Sequence, residues 1–217
     1  VKNRPALSDH RANPAKNLMS LATTYDQKWL RDNYKDADGN YYDWNGRDVW
    51  NLNPYWVLNE MTNESGKDKF MGSALVRYNV NEHFKIQVTG GADINFMNFQ
   101  DYAAPTSPGF EQGQLQISDF RNRMYNVEAL AIYNNSYKKF DYGVTIGGNL
   151  YKVDNKTQIV TAKEMVMRDV IALQSFTSKE ITEGTYRKQI NSLYGSINLA
   201  YGNFVYLDAT PVSYTHL

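Results

Sequence analysis

The sequence predicts an all-β fold: a fragment of an antiparallel, up-and-down transmembrane β-barrel, about six strands joined by long extracellular loops. Three observations predict it. The strands alternate apolar and polar residues over about ten positions. They meet in pairs at tight polar turns with an aromatic residue on each side: Tyr78 and Phe84, Tyr133 and Phe140, Tyr201 and Phe204. The segments between hairpins are long, polar and rich in Asn, Asp, Gly and Ser. Short turns on one side, long loops on the other and an aromatic ring near the short turns describe a barrel wall. A water-soluble sandwich needs no such asymmetry.

Each strand follows from its alternation. Phe70, Gly72, Ala74, Val76 and Tyr78 share one face of residues 69–79, and Ser73, Arg77 and Asn79 the other. Phe84, Ile86 and Val88 oppose Lys85, Gln87 and Thr89. Tyr125, Val127, Ala129, Ala131 and Tyr133 oppose Asn122, Asn126 and Glu128. Phe140, Tyr142, Val144, Ile146, Gly148 and Leu150 oppose Asp141, Thr145 and Asn149. Leu193, Ile197, Leu199 and Tyr201 oppose Ser192, Ser196 and Asn198. None of these apolar faces carries Lys, Arg, Asp or Glu. The turns are expected at 80–83, 134–139 and 202–204. A two-residue third turn would put Asp208 on the apolar face, where a charge is costly near mid-membrane. A three-residue turn pairs Tyr201 with Val205 instead and keeps Val205, Leu207 and Ala209 together. That register is expected.

The remaining segments set the domain organisation. Residues 1–67 read as a long extracellular loop region, with a short helix inside 17–33, where Leu18, Leu21, Tyr25, Trp29 and Leu30 fall near a 3.6 period. Residues 68–210 read as three barrel hairpins with long loops at 94–120 and 152–187. Both loops exceed the usual length, which marks function or disorder. Within the second, Met165, Val166, Val170, Ile171 and Leu173 fit an amphipathic helix or a buried extended run.

Composition bounds the function. Lys+Arg and Asp+Glu both number 23, so the net charge is zero and no global electrostatic case for nucleic acid exists. The chain has no cysteine, which excludes a disulfide scaffold and a thiolate metal site. Its longest apolar run, Ala129–Tyr133, is far below the roughly twenty residues of a spanning helix. A barrel strand needs only about nine to eleven residues, half of them polar. The mean hydropathy of −0.60 therefore does not argue against a membrane. An outer-membrane protein carries an export signal; none precedes Val1, so the chain is read as an internal segment of a longer protein.

Ordered motifs add a resemblance. Asn53-Pro54-Tyr55-Trp56-Val57-Leu58, then Asn63-Glu64 and a strand, then Tyr78-Asn79-Val80-Asn81-Glu82, resemble the barrel of SusC/RagA-like TonB-dependent transporters. So do Asn191-Ser192-Leu193-Tyr194-Gly195-Ser196 and Tyr206-Leu207-Asp208-Ala209-Thr210. The match runs from about Leu18 to Thr210. It implies a barrel of roughly 22 strands plugged by an N-terminal domain. It also implies a SusD-like surface lipoprotein as lid, TonB acting through an N-terminal region absent from this fragment, and import of glycans, peptides or other large nutrients. Residues 211–217 depart from the family pattern and read as translated adapter sequence, a non-native tail.

Catalytic and metal chemistry find little support. Asp36, Asp38, Asn40 and Asp43 evoke a calcium loop, but its sixth and twelfth positions hold Tyr41 and Arg47 where Gly and Glu are needed. The three histidines are far apart in sequence, without a zinc spacing. No Gly-x-Ser-x-Gly occurs, and Val88-Thr89-Gly90-Gly91-Ala92-Asp93 lacks a phosphate-loop lysine. No catalytic residue, metal or cofactor is expected, and the chain is read as a non-enzyme. The binding candidates are Trp44, Trp50, Tyr55 and Trp56, for contact with ligand or lid. The competing reading is that these rings pack the loops together. The expected function is part of a TonB-dependent outer-membrane transporter of a Gram-negative bacterium, in contact with outer-membrane lipid, its lid lipoprotein and a nutrient oligomer. A soluble secreted β-rich carbohydrate-binding module is the alternative, and an outer-membrane enzyme barrel a third reading.

Overall fold

The computed structural model describes residues 10–168, 170–202 and 204–216. The first nine positions, Asp169, Asn203 and Leu217 lie outside the description, and with them the middle of the third expected turn and the last residue of the expected tail. The elements in order are α1 (Pro14–Met19), α2 (Gln27–Asp32), α3 (Pro54–Glu60), β1 (Asn63–Asn79), β2 (Phe84–Ala103), β3 (Gln114–Tyr137), β4 (Phe140–Met165), a 3-10 turn (Leu173–Ser175), β5 (Phe176–Tyr201), β6 (Val205–Ala209) and β7 (Val212–His216). The strands form one antiparallel sheet in the order β1-β2-β3-β4-β5-β6, with β7 also on β5. Among the described residues no pairing joins β1 to β6, so the sheet is open.

The five long strands run 17, 20, 24, 26 and 26 residues, about twice what a bilayer crossing needs. This corrects the loops expected at 94–120 and 152–187. Their irregular parts shrink to residues 104–113 and 166–175, and the rest is strand. The polar flanks hide from periodicity because neither strand face there is uniformly apolar. The expected helix or buried run at Met165–Leu173 is neither: Met165 ends β4 and Leu173 opens the 3-10 turn, both packed on a core. Val166, Met167, Val170 and Ile171 are exposed.

The chain divides into two compact units. One comprises Asp68–Phe96, Arg121–Lys156 and Thr185–Leu217. In it the expected apolar face is exposed: Val76 is 67% accessible, Ile146 58%, Leu193 64% and Leu207 60%. The other face is cross-linked by polar pairs. Lys69 meets Asp93 at 3.0 Å, and Arg77 donates to Gln87 at 2.9 Å. Asn149 donates to Asn126 at 2.7 Å, and Tyr194 donates to Glu128.

The third hairpin adopts the expected register: Tyr201 opposes Val205, Leu199 opposes Leu207 and Ile197 opposes Ala209. Asp208 therefore sits opposite Asn198, whose amide donates to it at 2.6 Å. Gly202 takes φ +57° in this turn, a conformation glycine adopts without steric cost. β6 and β7 share a single register on β5, because Tyr194 opposes Val212. They are one strand interrupted at Pro211, whose carbonyl accepts from Gly195 N at 3.1 Å but which has no N–H to return. Across Pro211 the alternation changes phase. Val205, Leu207 and Ala209 share one face, whereas Val212 and Tyr214 take the other.

The second turn differs from expectation. Asn134, Asn135 and Ser136 carry turn-type side chains, yet they remain in β3, and only Lys138-Lys139 turn. Asn134 N donates to His83 O at 2.9 Å, and the Asn135 amide donates to the Tyr133 hydroxyl at 3.1 Å. These bonds to a neighbouring hairpin and ring override local preference. Tyr137, not Tyr133, therefore precedes the turn, and Tyr133 packs on Tyr142 with ring centroids 6.2 Å apart. Phe140, Tyr201 and Phe204 continue the aromatic row.

Gly147 lies beneath the Tyr194 ring. A Cβ there would stand 2.5 Å from Leu130 Cδ2 and 2.6 Å from Tyr194 Cε2. Gly147→Ala should therefore destabilise the folded protein by about 1–3 kcal/mol through overpacking. Gly148→Ala, whose nearest neighbour is the Ser192 carbonyl at 3.6 Å, should cost clearly less. Equal urea midpoints for the two variants would contradict this packing.

Candidate functional site

The second unit comprises Val1–Lys67, Met97–Phe120 and Thr157–Gly184. Its helices start where side-chain caps dictate. Asn13 accepts from Ala15 N and Lys16 N at 3.0 and 3.2 Å, Asp26 from Lys28 N at 2.8 Å, and Asn53 from Tyr55 N at 2.9 Å. The short helix expected within 17–33 is α2, capped by Asp26, while α1 begins before that window, at Pro14. Asn53-Pro54, a cap followed by proline at the first helical position, was the legible signal for α3, within a stretch read as irregular.

Tyr41 and Trp56 organise the core. Tyr41 N donates to Thr106 Oγ1 at 2.9 Å. Its hydroxyl accepts from Trp44 Nε1 at 2.9 Å and from Asn53 N at 3.1 Å. Burial pushes the Tyr41 phenol up, and the bonds from Asn53 and Trp44 oppose this more weakly. Trp56 is wholly buried, edge-on to Tyr41 with centroids 5.4 Å apart, and its Nε1 donates to Ser107 Oγ at 2.8 Å. Leu52, Val57, Tyr102, Leu115, Ala162 and Phe176 complete the cluster.

The four expected contact residues therefore separate. Trp56 has no ring face to offer a ligand, because the core takes all of it. Trp44 is half-buried against that core and packs edge-to-face on Tyr25 at 5.1 Å. Trp50 is 55% exposed, with the Arg11 guanidinium 5.1 Å from its ring centroid and Lys16 Nζ bonded to its carbonyl. Tyr55 is half-buried at the start of α3. Trp29 and Tyr42, not among the four expected contact residues, are both exposed and packed edge-to-face at 5.8 Å.

The acidic segment at Asp36 works as a turn. Its carboxylate accepts from Asn40 N at 2.7 Å and Asp38 N at 3.0 Å. The Asn40 N–H contributes most to holding this carboxyl below the usual carboxylate range. Arg168 donates to Asn40 Oδ1 at 2.8 Å and to Asp38 O at 3.2 Å, tying residues 166–175 to the turn. Among the described residues no group of three His, Asp or Glu is placed to hold a metal ion.

A cavity of about 430 Å³ opens in this unit. Phe99, Asp101 and Ala103 of β2 and Gln114, Gln116, Ser118 and Phe120 of β3 line it, together with Met61, Phe110 and His10. Its volume falls in the range of about 300–1,000 Å³ typical of ligand pockets, and it combines apolar walls with a few convergent polar groups. Sequence reading passed over these residues because it placed them in a loop.

No protein-family profile matches the chain, and no curated relative does. Solved structures do. The chain resembles one in the structure of the RagAB peptide transporter, with a TM-score of 0.65, 15% identity, and coverage of 83% of this chain and 21% of that one. The chain shares its fold with that transporter. A structure of the RagAB peptide importer in the open-open state gives a TM-score of 0.63 at 15% identity over the same shares. The closed-closed state gives 0.64 at 16% identity. The chain thus spans about a fifth of the length of the RagAB chains it matches. Among the described residues no helix is long and apolar enough to cross a membrane, which says nothing of crossing by strands.

The core assignment predicts an asymmetry among the tryptophans. Trp56→Ala should cost this unit about 3–5 kcal/mol, and limited proteolysis should then cut within residues 10–60. Trp50→Ala should leave the digestion pattern unchanged. Equal protection of the two variants would contradict the assignment.

Proposed function

We propose that this chain is part of the wall of a TonB-dependent outer-membrane transporter that imports glycans, peptides or other large nutrients with a SusD-like surface lipoprotein. One observation carries the reading. An open, up-and-down sheet exposes an apolar face that is uncharged across residues 70–78, 84–88, 125–133, 140–150 and 193–201, while hydrogen-bonded polar pairs bridge its opposite face. Water does not favour so large an apolar surface on a soluble monomer, whereas lipid requires it. The fold likeness to the RagAB transporter supports the same reading. A soluble carbohydrate-binding module would have to cover Val76, Ile146, Leu193 and Leu207 in some other way.

In this reading the polar face lines the lumen, and the side bearing the long connections 104–113 and 166–175 is extracellular. TonB acts through a region beyond this segment. Trp50 and Tyr55, with Trp44 behind them, contact the lid lipoprotein or the nutrient, while Trp56 supports them from the core. Residues 1–67 are read as loop region and 68–210 as barrel hairpins, although β1 begins inside the first range, at Asn63, and residues 212–216 also pair with β5. The aromatic row at the short turns marks the periplasmic interface.

The test uses the complete transporter. Val144→Arg should cost about 2–4 kcal/mol near the bilayer midplane and lower outer-membrane abundance. Thr145→Arg, on the opposite face, should be tolerated. Trp50→Ala and Tyr55→Ala should leave abundance normal and reduce uptake. Equal tolerance of arginine at 144 and 145 would remove the membrane reading.

A further inference from the structure

We infer that the cavity on β2 and β3 seats an extended peptide segment and takes one large apolar side chain among Phe99, Phe110 and Phe120. The inference rests on the transport reading above and names the class of nutrient that this site would hold. Gln114, Gln116, Ser118 and Phe120 occupy alternate positions of β3 and line the cavity together. Alternate strand residues repeat at about 6.7 Å, and so does an extended peptide laid beside them. Each two-residue step of a bound peptide would therefore meet one side chain of this row.

The chemistry of the row suits a peptide backbone. A glutamine amide both donates and accepts, which complements a peptide group. Gln116 Nε2 donates to Ser118 Oγ at 3.3 Å, which orients that amide. Among the described residues no protein group bonds the Gln114 side-chain amide. Ser118 is buried at the floor. A backbone lying on the row would satisfy these groups without a charge.

The apolar end is preformed. Phe99 and Phe120 pack edge-to-face with centroids 5.8 Å apart. The Arg11 guanidinium lies 5.3 Å from the Phe110 ring centroid. Met61 and Ala103 add aliphatic surface. A sugar ring would need an open aromatic plane, but two phenylalanines here present themselves to each other and Tyr102 is buried. Among the described residues that line the cavity, Asp101 is the single acidic side chain and none is Lys or Arg.

The experiment uses the purified complete transporter in detergent, titrated calorimetrically with three probes. These are an N-acetylated, C-amidated hexapeptide of alanines with one central phenylalanine, the same peptide with glycine in place of phenylalanine, and maltohexaose. The phenylalanine peptide should bind, and the glycine analogue about tenfold more weakly or worse. Gln116→Leu should weaken the phenylalanine peptide by about tenfold, and Ser118→Trp, which fills the cavity, should abolish its binding. Strand circular dichroism and heat-modifiable migration check that each variant is folded, and Gln116→Leu alone suffices if Ser118→Trp fails to assemble. Equal binding of the two peptides, unchanged affinity in Gln116→Leu, or no peptide binding at millimolar concentration overturns the inference. Binding of maltohexaose alone by a transporter that still assembles in the outer membrane overturns it while leaving the transport reading intact. Failure of the wild-type chain to assemble in membranes overturns the transport reading itself.

Discussion

The period-two alternation of a strand constrains this chain more than any other feature, because a slip of one residue turns every side chain to the opposite face. One face of the hairpin unit carries no charge across residues 70–78, 84–88, 125–133, 140–150 and 193–201, and the other is bridged by pairs such as Lys69–Asp93 and Asn198–Asp208. A slip in β6 would carry Asp208 beside Leu199 and strip Asn198 of its partner. Register, turn length and the identity of the two faces are thus one condition, met at once by Tyr201 opposite Val205. The sheet needs no dry core of its own to be specific.

The loop-bearing unit is specified differently. It has a true core, built around Trp56 and Tyr41, and polar side chains that are buried and bonded. Asn17 is an example: it donates to Arg11 O and Asn13 O at 2.7 and 3.0 Å and accepts from Leu52 N at 3.2 Å. Such groups bring segments distant in sequence to fixed places, because an unbonded buried amide would be costly. The cavity walls stand on β2 and β3, elements more rigid than loops, which suits a site that must hold a ligand in one pose.

How much of this was legible depended on which physics acted locally. The strand faces and the register of the third hairpin were legible, because a misplaced Asp208 carries a cost that alternation alone reveals. The second turn was misread: Asn134 and Asn135 look like turn residues, yet they stay in β3, where Asn134 N bonds His83 O of the neighbouring hairpin. The flanks of the long strands were read as loops, since ladder bonds, not an apolar stripe, hold them extended. Within the site, the aromatic stretch was found but not sorted. Composition cannot tell a core ring such as Trp56 from an exposed one such as Trp50, because that difference arises from Ser107 and Tyr41. The cavity was missed for the same reason as the strands that build it.

The central claim is that one face of the hairpin unit meets lipid and the other meets water. Single cysteines are placed at each position from Phe140 to Leu150 of the complete protein, and this chain contributes no other cysteine. After spin labelling and reconstitution in bilayers, collision with dissolved oxygen and with an aqueous nickel chelate reports lipid and water exposure respectively. The account predicts strict alternation: oxygen-accessible labels at the positions of Tyr142, Val144, Ile146, Gly148 and Leu150, and nickel-accessible labels at those of Asp141, Thr145 and Asn149. Uniform nickel access along the strand, or an alternation of opposite phase, would contradict it.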